Sequence, residues 1–472
     1  MEVQKFLKFC SWNIEGLSGK LHDEDFLSII NSFDCISLVE SWLSDASVVN
    51  LPGFYSFSKL RQKSERANRN SGGITVLIKS ELRKGVKFLE KESSEEFVWW
   101  KLEKDFFHTK QDLYVCSVYI PPQNSPREQR LDCDHFELLQ ENIYKFSKSG
   151  NIILCGDFNA RLGTLDDYVH EMEGVTFPTT VLTGSIEPRK SRDIHINTYG
   201  KSLAELCCGN ELIILNGRTK GDYIGQFTCH TYNGASVVDY TVVSSEILQS
   251  IKHFTVSSIT EFSHHCFLSF ALEAEPRLGV DKGETLQLLP LPASFVWNDN
   301  LKDTLRENFI NSNVSSEMNT LFESLNETDS VVSKFTDVIV NVSRNVVKIR
   351  NRQTPKKKRK RTIQKQRWFN TSCYLLKKEL KKLGSLLSKY PNDPFLRHKF
   401  FATKKDYKRL TKRLKRNFQS ELLNKIELME ENHPKEFWKL VNSIKASNSS
   451  DSSDDISPVV WYNYFKDLNE VK

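Results

Sequence analysis

The sequence predicts an α/β fold, sheets packed together and flanked by helices, followed by a basic, mostly α-helical region. Three observations predict it. Apolar runs of strand length recur between residues 6 and 271 and outnumber the helices among them. Those helices are few and amphipathic, so the strands must bury their faces against one another, with helices outside. From residue 276 the texture changes, first to a Pro- and Leu-bearing stretch and then to a cationic helical block.

A chain of 472 residues calls for more than one domain. The boundaries read as 1–275 for the strand-rich part, 276–342 for a linker with short helices, 343–445 for the basic helical region, and 446–472 for a polar spacer with the truncated start of a following domain. No run of 18 apolar residues exists, so no membrane partner is expected, and Met1-Glu-Val-Gln-Lys opens no signal peptide. Ten cysteines occur without a C-x-x-C pair. This argues against zinc ribbons and for reduced thiols in a nuclear or cytoplasmic protein. The net charge of +6 conceals a division. Residues 343–425 carry 28 Lys and Arg against 4 Asp and Glu, a net +24, while the rest carry 38 against 56, a net −18. Such a block suggests a polyanion: DNA, with RNA as a second candidate. Nothing in the sequence gives the oligomeric state.

In chain order, 6–14 is a buried first strand with Asn13 and Glu15 at its end. Residues 22–33 are helical, and 35–41 form a second strand ending at Glu40. A charge closing an apolar run is costly unless paired, solvated or metal-bound. Residues 61–71 make a basic loop, and Gly72-Gly73 opens a strand through Lys79. Strands follow at 97–102 and 113–120, the latter stopped by Pro121-Pro122. An amphipathic helix spans 127–149. Residues 163–196 form a long loop, 197–208 a helix and 212–216 a strand. Two arms, 226–232 and 237–243, make a hairpin around Asn233-Gly234, with Asp239 interrupting the second. A last strand starts at His264-His265. Further on come Lys356, Lys357, Lys358, Arg359, Lys360 and Arg361, an unbroken cationic run suited to phosphate contacts or to nuclear localisation. Leu376, Leu380, Leu383, Leu387 and Tyr390 form a helical seam. Pro391-Asn-Asp-Pro394 breaks it, and a second seam follows, the pattern of an antiparallel helical hairpin.

The stretch Asn151-Ile-Ile-Leu-Cys-Gly-Asp157-Phe-Asn159-Ala ends a buried strand with a carboxylate and an amide two residues apart, facing one way. It also fits a strand closing in an Asx turn. Asn13, Glu40, Tyr119 and Asp239 likewise end or interrupt apolar strands, and His265 opens the last one. Phosphodiester hydrolysis needs a divalent cation, a base for water and donors for developing charge. Glu40 and Asp157 suit the cation, Mg2+ or Mn2+. His265 oriented by Asp239 suits water activation or charge stabilisation. Asn13, Asn159 and Tyr119 suit phosphate oxygens.

This ordered set resembles the endonuclease/exonuclease/phosphatase superfamily over roughly residues 6–272. The resemblance implies a four-layered α/β sandwich and a metal-dependent endonuclease. It implies metal ligation by Glu40 with Asn13 and Asp157 close by, and an Asp239–His265 pair. Val-Tyr119-Ile-Pro-Pro, Gly-Asp157-Phe-Asn159-Ala-Arg161, Leu215-Asn216-Gly217-Arg218 and Ser236-Val-Val-Asp239-Tyr240 are similar to the endonucleases of non-LTR (LINE-type) retrotransposons. So is a basic helical linker carrying Glu436-Phe437-Trp438-Lys439. In that family a reverse transcriptase follows; here no Tyr/Phe-x-Asp-Asp motif occurs, so the chain resembles the front part of such a polyprotein. The family's Ser-Asp-His reads Ser263-His264-His265 here, which makes His264 a candidate metal ligand. That change also motivates the alternative, a catalytically decayed or host-adopted nucleic-acid-binding protein. A third reading, an inositol polyphosphate phosphatase, lacks its Pro-Ala-Trp-Cys-Asp-Arg-type motif at 235–240.

Overall fold

The computed structural model describes residues 6–44, 49–61, 70–130, 134–168, 186–277, 294–295, 301–310, 314, 316, 318–320, 328–344, 346, 349–350 and 367–432. The chain forms two compact units: Met1–Leu278 with Lys365–Lys472, and Gly279–Gln364. The second unit holds helices α5 (Lys302–Ile310) and α6 (Thr328–Arg344) and a short pair of strands, β15 (Ser294–Phe295) with β16 (Ile349–Arg350).

The first unit is built on two six-stranded sheets. One has the order β13-β14-β1-β2-β4-β3, with β1 Phe6–Asn13, β2 Cys35–Val39, β3 Phe54–Lys59, β4 Ile74–Lys79, β13 Ile251–Val256 and β14 Leu268–Glu273. The other has the order β5-β6-β7-β8-β12-β9, with β5 Val86–Phe88, β6 Phe97–Leu102, β7 Asp112–Tyr119, β8 Gly150–Asp157, β9 Leu212–Ile214 and β12 Asp239–Ser244. Only β1 with β2 and β7 with β8 run parallel; the other neighbours are antiparallel. Every side chain of β8 is buried, as a central strand covered on both faces requires.

Three apolar cores define four layers. Phe9, Val39, Val76 and Phe270 of the first sheet meet Val98, Trp100, Val115 and Ile153 of the second. Outside the first sheet, Trp12 and Leu38 pack on Phe26 and Ile30 of helix α1 (Glu24–Asn31). Outside the second, Trp99 and Leu154 pack on α3 (His135–Ser147) and α4 (Thr198–Gly209), which carry Leu139, Ile143 and Leu203. A single turn, α2 (Lys104–Phe107), precedes β7. The expected four-layered α/β sandwich is the observed architecture.

Three edge strands, β3, β5 and β13, were not expected from the sequence. The hairpin around Asn233-Gly234 also differs: its paired arms are only β10 (Cys229–His230) and β11 (Ala235–Ser236). The rest of the second arm becomes β12 and enters the second sheet between β8 and β9. The helical hairpin forms as α7 (Thr371–Lys389) and α8 (Pro394–Asn432). It does not stand apart from the sandwich. Leu380, Leu383, Leu387 and Phe400 join the core that holds Ile259 and Cys266. Gly384 lies so close to the Ile259 carbonyl that a Cβ there would sit 2.4 Å from the oxygen. Lys356 through Arg361, the Glu436–Lys439 stretch and the spacer 446–472 lie outside the described residues. No described helix is long and apolar enough to cross a membrane.

Candidate active site

The site assembles where strands of both sheets end on the same side. In the second sheet Tyr119, Asp157 and Asp239 are register partners across β7, β8 and β12, so three neighbouring strands deliver them side by side. From the first sheet Asn13 ends β1 beside Val39 of β2, and Glu40 follows. The Asn13 side-chain amide donates to Asp157 Oδ2 at 2.8 Å, tying the sheets together at the cleft.

Local backbone geometry explains why the carboxylate sits here. Gly156 has φ +153°, and a Cβ would lie 1.9 Å from the Val118 carbonyl oxygen. Only glycine lets β8 press this closely on β7 before it turns. Asn159 adopts φ +47°, and its backbone N–H donates to Asp157 Oδ1 at 3.0 Å. The Asx turn and the candidate site are therefore one object. The Asn159 side-chain amide donates to the Ile120 carbonyl at 2.8 Å, which fixes that side chain at the cleft wall. Glu15, Glu40 and Trp42 also take positive φ, at +48°, +54° and +51°. Such left-handed non-glycine positions are costly and gather at functional sites.

The imidazole of His265 is held from both sides. Its Nδ1 lies 3.0 and 2.9 Å from the two Asp239 oxygens, and its Nε2 lies 3.9 Å from Asp157 Oδ2. The backbone around it is pinned as well: Trp12 Nε1 donates to the His265 carbonyl at 2.8 Å, and the His265 N–H donates to Ser263 Oγ, which itself donates to the Asn13 carbonyl. Burial opposes a charged imidazole here, yet the facing carboxylate of Asp239, with Cys229 and Asp157, holds its pKa above the ordinary value. Burial first, and then the negative charge of Asp239, pushes the Asp157 carboxyl up to about 7. Burial and the neighbouring Glu40 raise the Tyr119 hydroxyl, which donates to Glu40. Trp42 Nε1 donates to Glu40 Oε2 at 3.0 Å. The Arg61 guanidinium lies 5.1 Å from the Tyr119 ring centre.

Among the described residues, Asp157, Asp239 and His265 offer three ligand atoms within 4.8 Å of one another. The two buried carboxylates fit a divalent cation that would balance their charge, whereas His265, its Nδ1 taken by Asp239 and its pKa raised, is a proton donor here and not a ligand. Glu40 is linked to this group through Tyr119 rather than being part of it. His264 points elsewhere. Its Nδ1 lies 2.7 and 2.9 Å from the Glu15 carboxylate oxygens, and its ring stacks on Phe401 of α8 at 5.8 Å. As a candidate metal ligand it is thus turned away from Asp157 and Asp239. Burial works against the Glu15 carboxylate, but His264, with His265 and Lys404, pulls it down to about 2.

Sequence reasoning missed Cys229, whose Sγ lies 3.7 Å from His265 Nε2. It also missed Ser263 as an anchor, though Ser263 directly precedes the two histidines. Asn216 braces the site from behind: its amide donates to the Asp239 carbonyl at 3.1 Å and accepts from the Thr241 N–H at 3.2 Å. Arg218 instead pairs with buried Asp167.

No curated protein matches the chain. Several solved structures are similar. The endonuclease domain of TRAS1, a telomere-specific non-LTR retrotransposon, is 16% identical, with a TM-score of 0.39 over 56% of this chain and 98% of that one. The AP endonuclease LMAP from Leishmania major is 16% identical, with a TM-score of 0.43 over 57% and 88%. The 3′ phosphatase NExo from Neisseria, bound to a product DNA hairpin, is 16% identical, with a TM-score of 0.37 over 57% and 99%. The model of the Endonuclease/Exonuclease/phosphatase family matches residues 10–256, over half of the chain and the segment that carries every residue of the site but the 263–265 turn. On that match, the chain belongs to the Endonuclease/Exonuclease/phosphatase family.

Proposed function

We propose that this chain is a divalent-metal-dependent DNA endonuclease of non-LTR retrotransposon origin, acting in the nucleus or cytoplasm. One observation carries the proposal: Asp157, Asp239 and His265 converge within 4.8 Å, in segments whose sequence motifs resemble that branch. Glu40, with Asn13 and Asp157 close by, would hold Mg2+ or Mn2+. A cation bound there supplies charge neutralisation at the scissile phosphate. The protein's own groups do the rest. A carboxyl near neutrality, as Asp157 is, suits a group that accepts the proton of the attacking water. The water oxygen bonds to phosphorus as the ester P–O bond breaks, and the departing oxygen takes up a proton. His265, kept protonated by Asp239, donates to the phosphate as charge develops. Asn159 and Tyr119 position the phosphate.

The test is nicking of supercoiled plasmid with Mg2+ or Mn2+. The wild type should convert it to open circles, whereas Asp157→Ala and His265→Ala should leave it supercoiled. Equal nicking by all three would refute the assignment. The engagement of His264 with Glu15 favours a second reading, a nucleic-acid-binding protein without catalysis. Under it, no metal supports nicking and DNA affinity is the same in all three proteins.

A further inference from the structure

Beside the catalytic residues, the loop after β1 and helix α8 enclose a cavity of about 720 Å3. It lies within the range of about 300–1,000 Å3 typical of small-ligand sites. The nuclease side contributes Trp42 and Lys20, and the helical side Trp368, Lys408 and Lys415. This cavity belongs to no motif read from the sequence and exists only because the hairpin is docked.

Its chemistry is specific. Lys408 and Lys415, with Thr411 between them, lie at i, i+3 and i+7 of α8 and so share one face. Both lysines are exposed, and among the described residues no ion pair engages either ammonium. The Lys415 ammonium sits 4.8 Å from the centre of the Trp368 ring, so a cation and an aromatic surface stand together. On the other wall Trp42 donates to Glu40, so that wall continues into the catalytic cleft. Lys20 is turned inward onto the Glu15 and Gly16 carbonyls at 3.0 and 2.7 Å, leaving Lys408 and Lys415 as the outward cations. Aromatic surface for a base and cations for its phosphate are what an unpaired nucleotide needs. A duplex offers stacked bases and no free face.

We propose that this cavity is a strand-exit site that takes an unpaired nucleotide adjoining the cleaved phosphate, so that the enzyme favours junctions of duplex and single strand. This rests on the nuclease reading above for its choice of ligand. The helical hairpin thereby becomes part of the substrate-binding surface, and Trp368, Lys408 and Lys415 become specificity-determining residues.

The experiment measures binding of the full chain, in chelator, to a blunt DNA duplex and to the same duplex with a short single-stranded tail. The wild type should bind the tailed form about tenfold more tightly. Trp368→Ala should remove that preference, and the double variant Lys408→Glu, Lys415→Glu should lower affinity for the tailed form most. The double variant changes only exposed side chains, so its fold should be intact by melting temperature. Equal affinity of the wild type for both ligands, or an unchanged preference in the double variant, would overturn the proposal. Asp157→Ala separates the two readings. Tail preference retained there without nicking upholds both, whereas a wild type that prefers tails yet never nicks removes the nuclease and leaves the strand site.

Discussion

The ammonium of Lys377 lies 2.7 Å from Asp23 Oδ1 and 2.8 Å from Oδ2, joining residues 354 positions apart. Asp25 at 2.9 Å and Glu261 at 3.5 Å complete an acidic pocket around a buried lysine. Burial opposes the charge, but Asp23 and Asp25 hold the Lys377 pKa above its ordinary value. Asp23 also caps α1 by accepting from the Asp25 and Phe26 N–H groups. One lysine thus fastens the helical hairpin to the outermost helix of the sandwich.

Lys377→Met should cost about 1–3 kcal/mol, because it leaves buried Glu261 and half-buried Asp23 and Asp25 without their cation. Urea unfolding measures this. Asp23→Asn added to that variant should cost less than it does alone, since the pair acts as a unit. Additive losses would show that the contact does not join the two elements.

Gly384→Ala offers a test whose sign separates local from tertiary effects. In an exposed helix this change stabilises by about 1 kcal/mol. Here the new Cβ would meet the Ile259 carbonyl, so a loss of about 1–3 kcal/mol is expected instead. Faster proteolysis within α7 and α8, with the sandwich left intact, would locate the effect at the docking surface. A raised melting temperature would contradict the docked arrangement.

Asp239→Asn keeps the side-chain size and removes the charge that faces His265 Nδ1. Nicking should fall about 10²–10⁴-fold, the usual worth of a positioned acid or base. Melting temperature and DNA affinity should stay near those of the wild type. A large loss of affinity would instead mean that Asp239 binds substrate or metal directly.

Much of this was legible in the sequence for a simple reason. The strand ends that carry Asn13, Glu40, Tyr119 and Asp157 follow buried apolar runs, and a polar residue ending such a run announces itself. The edge strands were not, because β3 reads Phe-Tyr-Ser-Phe-Ser-Lys and is only half-buried along its length. The Val237–Val243 run looked like one hairpin arm. It divides because Val237 and Val238 are held by Asp193 and Thr228, whose side chains accept from their N–H groups, before β12 pairs with β8. His264 beside His265 suggested a metal ligand next to the catalytic imidazole. Adjacent residues in an extended segment point opposite ways, so only one can enter the cleft. Lys377 and Lys404 counted toward a solvated cationic face in the sequence, but the docked helices bury both.

Lys404 makes the docking pH-dependent. Its ammonium donates to the Ser263 carbonyl at 2.8 Å and the Thr260 carbonyl at 3.2 Å. Burial, with Lys408 opposing it, lowers its pKa to about 8, although Glu15, Glu261 and Cys266 pull the other way. The ordinary value is 10.5, so between about pH 8 and 10.5 the folded lysine is neutral while the unfolded one still binds a proton. Stability from this group therefore rises with pH through that window, the reverse of a salt-bridged lysine. Compared with Lys404→Met, the wild type should gain up to about 3 kcal/mol from pH 7.5 to 10. Lys20, lowered to about 7 chiefly by burial but also by Lys408 and Lys404, titrates in the same window, so the comparison is made in a Lys20→Met background. Parallel stability curves for the two proteins across that range would show that Lys404 is solvated and that α8 does not seal the segment between β13 and β14.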